Sequence, residues 1–262
     1  VMSFHSSLSF AAMTATLLSS SSFGALIAGD VAIVGFQASG VGADSVSFVT
    51  FVDLAPGTVL YFTDNGWTGS AFRGVTATDG DGNENLMRFT AANTIVAGTI
   101  IGSRTSSADY AWALSGLVGP GTSTYAQLSL SSSGEQVTIL ESTNLANPIF
   151  SDFTALYNFD NTSAYESASS SSTGSLAPGL VQGTSAVLLT SSLNSATFNL
   201  NTLASGTQAE WLAAIGDAAN WTTGTGTADA SSGFILVVPA PGALALLACA
   251  GMAGSRRRRS AR

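Results

Sequence analysis

The stretch that decides the fold reads GDVAIVGF over residues 29–36, SVSFVTFVD over 45–53 and TVLYFT over 58–63. Each run is short, rich in β-branched and aromatic residues, and bounded by Gly, Pro, Asn or Asp, a pattern typical of strands. Apolar residues occupy both faces of the first run, which predicts a strand buried on both sides. Ala55, Pro56 and Gly57 carry Pro and Gly in the order that a type II turn prefers, so we expect the third run to return as the partner strand of the second.

The rest of the body repeats this pattern and adds one helix. Further strands are predicted at residues 86–90, 95–102, 149–160, 186–190, 196–200 and 234–238, together with a hairpin of 125–130 and 135–140. Thr207 and Glu210 form a capping-box pattern, and Trp211, Ile215 and Ala219 follow at helical spacing. Residues 29–237 are therefore predicted to form an all-β sandwich with one packed α-helix. The small, polar run 163–175 predicts a loop or a spacer.

The opening of the body resembles a module of bacterial secreted and surface proteins. The resemblance rests on GDVAIVGF, on FVTFVD at residues 48–53, on Pro56-Gly57-Thr58 and on YFTDNGW at 61–67, and it covers residues 29 to about 102. It implies an immunoglobulin-like β-sandwich similar in layout to lamin-tail domains, with no activity attached. The residues alone favour a structural corner at 64–67, in which Asp64 caps a turn, Asn65 and Gly66 tolerate positive φ, and Trp67 fills the core.

Composition excludes several kinds of catalytic site. The chain has no lysine, its one cysteine is Cys249 near the C-terminus, and its one histidine is His5 near the N-terminus. Between residues 29 and 237 there is consequently no thiol or lysine nucleophile, no Ser-His-Asp triad and no His-ligated zinc site. The same region contains sixteen carboxylates and only three basic residues, Arg73, Arg88 and Arg104, which gives it a formal charge of −13. Such an acidic body repels phosphate backbones, so nucleic acid is not an expected partner.

Residues 1–28 predict a secretory signal peptide. Residues 10–18 form a short apolar core, and small residues suitable for cleavage occur at Ser22-Phe23-Gly24 and again within 25–28. The basic start of such signals is missing, since only His5 stands there. The pattern nevertheless predicts that the body is exported.

The C-terminal residues 238–262, VPAPGALALLACAGMAGSRRRRSAR, join a proline turn, a short uncharged run and an arginine cluster. Arginines remain on the cytoplasmic side of a bilayer, so everything before Pro239 is expected to face out. The run is short for a hydrocarbon core of ~30 Å. A buried helix with a solvated basic end, or an arginine patch for nucleic acid, therefore stays open as an alternative.

The order of these features resembles the PEP-CTERM sorting signal, with Ala240 where that family has Glu. The resemblance implies a sorting motif at Val238, Pro239, Ala240 and Pro241, a short transmembrane helix, and a topology signal at Arg256, Arg257, Arg258 and Arg259. It also implies the membrane and an exosortase-type sorting enzyme as partners. After processing the protein would be held in the membrane or released to the cell surface.

A calcium site is one candidate within the body. Asp79, Asp81 and Asn83 alternate on a glycine-rich loop, like the first half of a calcium loop whose oxygens converge on a hard cation. Glu84 and Thr90 stand where the EF-hand pattern has Gly and a carboxylate. A metal-free, Asx-rich hairpin loop is the alternative.

An aromatic site is the second candidate. Tyr110 and Trp112 lie beside Asp109, and an exposed pair of this kind could stack on sugar rings. Burial in the core is the commoner fate of Tyr and Trp in β proteins. With Trp67, these rings would line the pocket of a ligand-binding domain.

These observations favour an exported structural or binding protein of the cell envelope or extracellular matrix, without enzymatic activity or an obligatory cofactor. Extracellular polysaccharide is its candidate ligand. The alternatives are a calcium- or carbohydrate-binding module and a secreted hydrolase of the glycosidase type, which needs only two carboxylates. That pair would come from Asp64, Asp79, Asp81 and Glu84.

Overall fold

The computed structural model describes residues 25–38, 44–73, 86–105, 107–114, 128–132, 134–142, 144–145, 150–166, 174–189 and 194–224. Within these ranges the strands are β1 Val31–Gln37, β2 Ser45–Thr50, β3 Val59–Thr63, β4 Leu86–Ala91, β5 Ile100–Gly102, β6 Tyr110–Leu114, β7 Gln136–Ser142, β8 Phe153–Asp160, β9 Ala186–Leu188, β10 Ser195–Phe198 and β11 Trp221–Gly224. The α-helix is α1, Gln208–Ile215. The sorting tail and the candidate calcium loop lie outside the described residues, as do residues 1–24 of the predicted signal.

The strands form two sheets that pack face to face. One sheet has the order β11-β10-β1-β2-β5 and the other β6-β4-β3-β7-β8-β9. Phe36 of β1 stacks on Phe159 of β8 with ring centroids 4.8 Å apart, and Phe48 of β2 lies 5.1 Å from Phe62 of β3. Aromatic pairs at these distances stabilise a core beyond the area they bury. The predicted all-β sandwich with one helix is confirmed.

Strand β1 and the start of helix α1 follow their sequence patterns closely. Every residue of β1 is buried, as apolar character on both faces predicts. Helix α1 starts at the Thr207 cap, where the predicted capping box forms, and it buries Trp211, Leu212 and Ile215 in the main core. The helix ends at Ile215, however, and Ala219, which was expected on it, lies in a separate 3-10 helix, Ala218–Asn220. The helix spans eight residues, and no helix among the described residues has the length and apolar character needed to cross a bilayer.

The expected pairing of β2 with β3 is wrong. The turn itself forms, because Gly57 has a φ of 88° and the Thr58 N–H donates to the Ala55 carbonyl at 3.0 Å. However, β2 pairs with β1 and β5, whereas β3 pairs with β4 and β7 in the opposite sheet. A strand that is apolar on both faces has the same sequence pattern whether its neighbour in the chain pairs with it in one sheet or packs against it from the other sheet. The pattern therefore does not determine the pairing.

Other corrections concern strand extent and pairing. The strand expected over 95–102 shortens to β5, and Ile95 makes only an isolated bridge to Leu54. Residues 128–130 are not a strand, so β7 pairs with β3 and β8 rather than in the predicted hairpin. Strands β9 and β10 belong to different sheets. The sequence patterns missed β6 and β11, which lie at sheet edges.

Candidate functional site

The corner at residues 64–67 is structural, as the residue types suggest, although its geometry differs from the prediction. Asp64 is fully buried, and its Oδ2 accepts a hydrogen bond from the Ser129 N–H at 2.6 Å, which ties a distant loop to the end of β3. Neither Asn65 nor Gly66 has a positive φ. Trp67 packs edge-on against Phe72 at 5.0 Å. A carboxylate buried in this way lacks the open cleft that the hydrolase alternative requires.

The three aromatic rings proposed for a ligand pocket do not meet. Trp112 packs between the sheets, 5.1 Å from Phe62 and 5.2 Å from Phe89, and Tyr110 lies 5.5 Å from Phe89. Trp67 instead joins a separate cluster on the outer face of the six-stranded sheet. The pocket prediction is therefore wrong, and Trp112 and Tyr110 instead pack against the main core, where both are partly buried.

The described residues contain an open groove of about 490 Å³ where residues 25–30 cross the ends of β3 and β7. We call this feature the acidic groove, since its lining within the described part of the chain includes three carboxylates, Asp30, Asp53 and Glu141, and no basic side chain. The other lining residues are Ala25, Leu26, Val52, Ala55, Gly57, Thr58, Val59, Ser142 and Leu145. Its residues come from three distant parts of the chain, 25–30, 52–59 and 141–145, so no local sequence motif predicts it.

Hydrogen bonds hold residues 25–30 against the rest of the sandwich at this groove. Glu141 Oε2 accepts from the Leu26 N–H at 2.9 Å, and Asp30 Oδ2 accepts from the Ile27 N–H at 2.9 Å. The Gly29 N–H donates to the Leu156 carbonyl at 2.9 Å, and Gln208 Nε2 of α1 donates to Asp30 Oδ1 at 3.2 Å. This segment is therefore part of the folded body, although the predicted signal peptide extended to residue 28.

The electrostatics of the acidic groove favour a positive charge. Burial raises the pKa of Glu141, the Leu26 N–H opposes that shift, and the nearby Asp30 adds to it. Asp53 Oδ1 accepts from the Ala97 N–H at 2.8 Å near the exposed rim. Because none of the described residues places a cationic side chain in the groove, a bound or neighbouring cation would relieve the repulsion between its carboxylates.

Carboxylates throughout the described part of the chain, those of the groove included, mostly accept hydrogen bonds from backbone N–H groups. Of the twelve that lie there, nine accept such a bond: Asp30, Asp44, Asp53, Asp64, Glu135, Glu141, Asp160, Glu210 and Asp217. An ionised oxygen satisfies buried loop amides well. The pattern is one of scattered structural use rather than one catalytic centre.

A second polar feature lies on the outer face of the six-stranded sheet. Thr63 of β3 pairs with Thr138 of β7, which in turn pairs with Asn158 of β8. Two residues along the same strands, Gln136 of β7 pairs with Asp160 of β8. Asn158 Nδ2 donates to Thr138 Oγ1 at 2.9 Å. We call Asn65, Gln136, Asn158 and Asp160 the outer polar patch; Asn65 joins it because its Nδ2 donates to Thr63 Oγ1 at 2.8 Å.

The outer polar patch is buried yet incompletely hydrogen-bonded. Asp160 Oδ1 accepts from the N–H and hydroxyl of Thr162, at 2.7 and 2.6 Å. Within the described structure, Asp160 Oδ2, Asn158 Oδ1, Asn65 Oδ1 and Gln136 Nε2 have no partner. Burial raises the pKa of Asp160 to about 6, opposed by Thr162 and reinforced by Glu166. The sequence signal was the spacing of Asn158 and Asp160, two polar residues on one face of an otherwise aromatic strand.

Comparisons with known proteins add no identification. No family model, curated protein or solved structure matches the chain. The described residues also hold no group of three or more His, Cys, Asp or Glu side chains arranged for a metal ion. The predicted calcium ligands Asp79, Asp81 and Asn83 fall outside those residues, so the calcium hypothesis stays a prediction.

Proposed function

We propose that the protein is exported and serves at the cell envelope or in the extracellular matrix as a non-enzymatic structural or binding module. The observation that carries this proposal is the order of features at residues 238–262, where a proline turn precedes an uncharged run and then Arg256–259. An acidic body without lysine, placed before such a tail, suits the outside of a cell. An exosortase-type enzyme is the proposed sorting partner.

The structure supports the non-enzymatic part of this proposal in one respect. Most described carboxylates accept backbone N–H groups and so have a structural use in holding loops in place. The two-sheet architecture is compatible with an immunoglobulin-like or lamin-tail-like module. That finer assignment is part of the proposal.

Cell fractionation of a bacterial host that has the sorting machinery tests the export proposal. The full chain is expected in the membrane or surface fraction. Replacing Arg256–259 with Ala should disturb the retention or orientation of the tail, whereas replacing Arg73 and Arg104 with Ala should not. Wild-type protein found intact in the cytosol would refute the proposal.

A second candidate function, hydrolysis, has one specific observation in its favour. Asp30 and Glu141 line the same groove, and the raised pKa of Glu141 is a property of general acids. The test is turnover of a panel of aryl glycosides by the wild type and by Glu141→Gln. Turnover that disappears in the variant would establish the hydrolase, while no turnover by the wild type supports the binding module.

A further inference from the structure

Residues 25–28 contact two carboxylates of the acidic groove through their backbone, one in the body, Glu141, and one in the same segment, Asp30. Leu26 and Ile27 supply the backbone N–H groups that Glu141 Oε2 and Asp30 Oδ2 accept. Asp30 is buried, with 8% of its surface exposed. Removal of residues 25–28 would take both donors away and leave a buried carboxylate oxygen without them, which is costly.

This cost discriminates between the two cleavage positions that the sequence offers. Cleavage after Ala28 would strip the acidic groove of both donors, and cleavage after Leu26 would remove one of them. Cleavage after Ala25 would keep both, but it would place Phe23 where a small residue is needed. Cleavage after Gly24 keeps them, and it places Ser22 and Gly24 at the two positions where export-coupled endopeptidases need small residues. The cut after Gly24 is therefore the one that both keeps the two donors and meets the requirement for small residues.

Cleavage after Gly24 also supplies the charge that the groove lacks. The Leu26 nitrogen lies 2.9 Å from Glu141 Oε2, and consecutive residues are ~3.8 Å apart, so a terminal nitrogen on Ala25 lies within roughly 7 Å of that carboxylate. The chain contains no lysine, and no arginine of the described residues lines the groove. A new α-ammonium on Ala25 would therefore add a positive charge close to the groove carboxylates.

We infer that the exported chain is cleaved between Gly24 and Ala25, and that the α-ammonium of Ala25 then pairs with Glu141 and Asp30 in the acidic groove. In the reaction, water adds across the Gly24–Ala25 amide and the C–N bond breaks. Gly24 leaves with a carboxylate, and the Ala25 amine takes up a proton. The inference rests on the proposed export, and it adds the position of the cut and a structural role for the new terminus.

The first test is the mass and N-terminal sequence of full-length protein expressed in an exporting host. We expect the exported form to begin at Ala25. An exported form that begins at Gly29, or anywhere within 26–28, overturns the inference and leaves the proposed function intact. A chain that stays in the cytosol with its leader overturns both.

The second test uses the absence of lysine. An amine-selective acetylating reagent can modify only the α-amine of the processed protein, which mass spectrometry verifies as one added acetyl group. Acetylation removes the charge, so Tm of the wild type should fall by ~2 to 4 °C. Glu141→Gln should show little or no further fall, whereas the control Asp217→Asn, altered at a distant 3-10 helix cap, should show the full fall. An unchanged Tm in the acetylated wild type overturns the ion pairing.

Discussion

The two faces of the six-stranded sheet are built from the same strands but bury different kinds of side chain. The inner face is packed with aromatic and aliphatic side chains, among them Phe62, Phe89 and Phe159. The outer face mixes a smaller apolar cluster with the outer polar patch, where several buried polar atoms have no partner among the described residues. The inner face is thus expected to supply most of the stability, whereas the outer face is where stability should depend on pH and on small steric changes.

The largest expected effect is on the inner face. Phe159→Ala removes a ring that stacks 4.8 Å from Phe36 and 5.5 Å from Trp221, and such truncations cost ~3 to 5 kcal/mol. Phe153→Ala is the matched control on the outer face, since Phe153 is only half-buried and contacts Tyr61. Urea denaturation measures the loss in free energy of unfolding for each variant. Equal losses from the two variants would contradict the assigned difference between the faces.

The next effect is the pH dependence of the outer face. The pKa of Asp160 is about 6 in the folded protein against an ordinary 3.8, so its ionisation opposes folding. This contribution to the free energy of unfolding is therefore greatest below pH ~4 and is lost as pH rises through about 6, by up to ~2 to 3 kcal/mol. Asp160→Asn keeps an oxygen for Thr162 and should remove that slope while raising stability at pH 7.

The control for this experiment is Asp217→Asn, whose carboxylate caps a 3-10 helix far from the patch. It should keep the slope between pH 4 and 7. If Asp160→Asn also keeps the wild-type slope in chemical denaturation at several pH values, the pH dependence has another origin.

A smaller effect is expected where a loop crosses the outer face. A Cβ added at Gly174 would lie 2.6 Å from the Trp67 nitrogen and 3.1 Å from Gln136 Nε2, so the backbone must shift. Gly174→Ala should lower the free energy of unfolding by ~1 to 3 kcal/mol. Gly224→Ala, where nothing lies within 4 Å, is the matched control and should be close to neutral. Thermal melts of the two variants compare them directly, and equal Tm values would show that the loop yields freely.

The smallest effect is expected at the start of α1. Thr207→Ala removes the side chain that accepts from the Glu210 N–H, and loss of such a cap costs ~1 kcal/mol. Thr223→Ala on the exposed part of β11 serves as the control. A cap variant as stable as the control in urea would mean that packing of Trp211, rather than the cap, defines where the helix begins.

Local patterns predicted much of the fold because they reflect local physics. The two-sided burial of β1, the positive φ at Gly57 and the capping box at Thr207 could all be predicted from neighbouring residues. Strand pairing could not be predicted in this way, because an apolar run does not indicate which strand pairs with it. Strands β2 and β3, which lie in different sheets, are the example. Edge strand β6 was missed for a related reason, since Ala111 and Ala113 dilute its alternation.

The candidate site was less predictable than the fold. The acidic groove unites Ala25, Asp30, Asp53 and Glu141, which are up to 116 positions apart and share no motif. Asp160 could have been singled out by its spacing from Asn158, but its buried environment depends on the register of β7 with β8. Long-range register is decided by the whole sandwich, so the chemistry of these carboxylates follows from the fold rather than from sequence neighbours.

The central claim is the proposal that an N-terminal signal and a C-terminal sorting tail direct this chain to the cell envelope or exterior, where its β-sandwich acts. The most direct measurement is the intact mass of the wild-type protein recovered from each fraction of cells that express the full chain. The account predicts recovery from the membrane or surface, with a mass that begins at Ala25. A cytosolic protein that still carries residues 1–24 and Arg256–259 would contradict it.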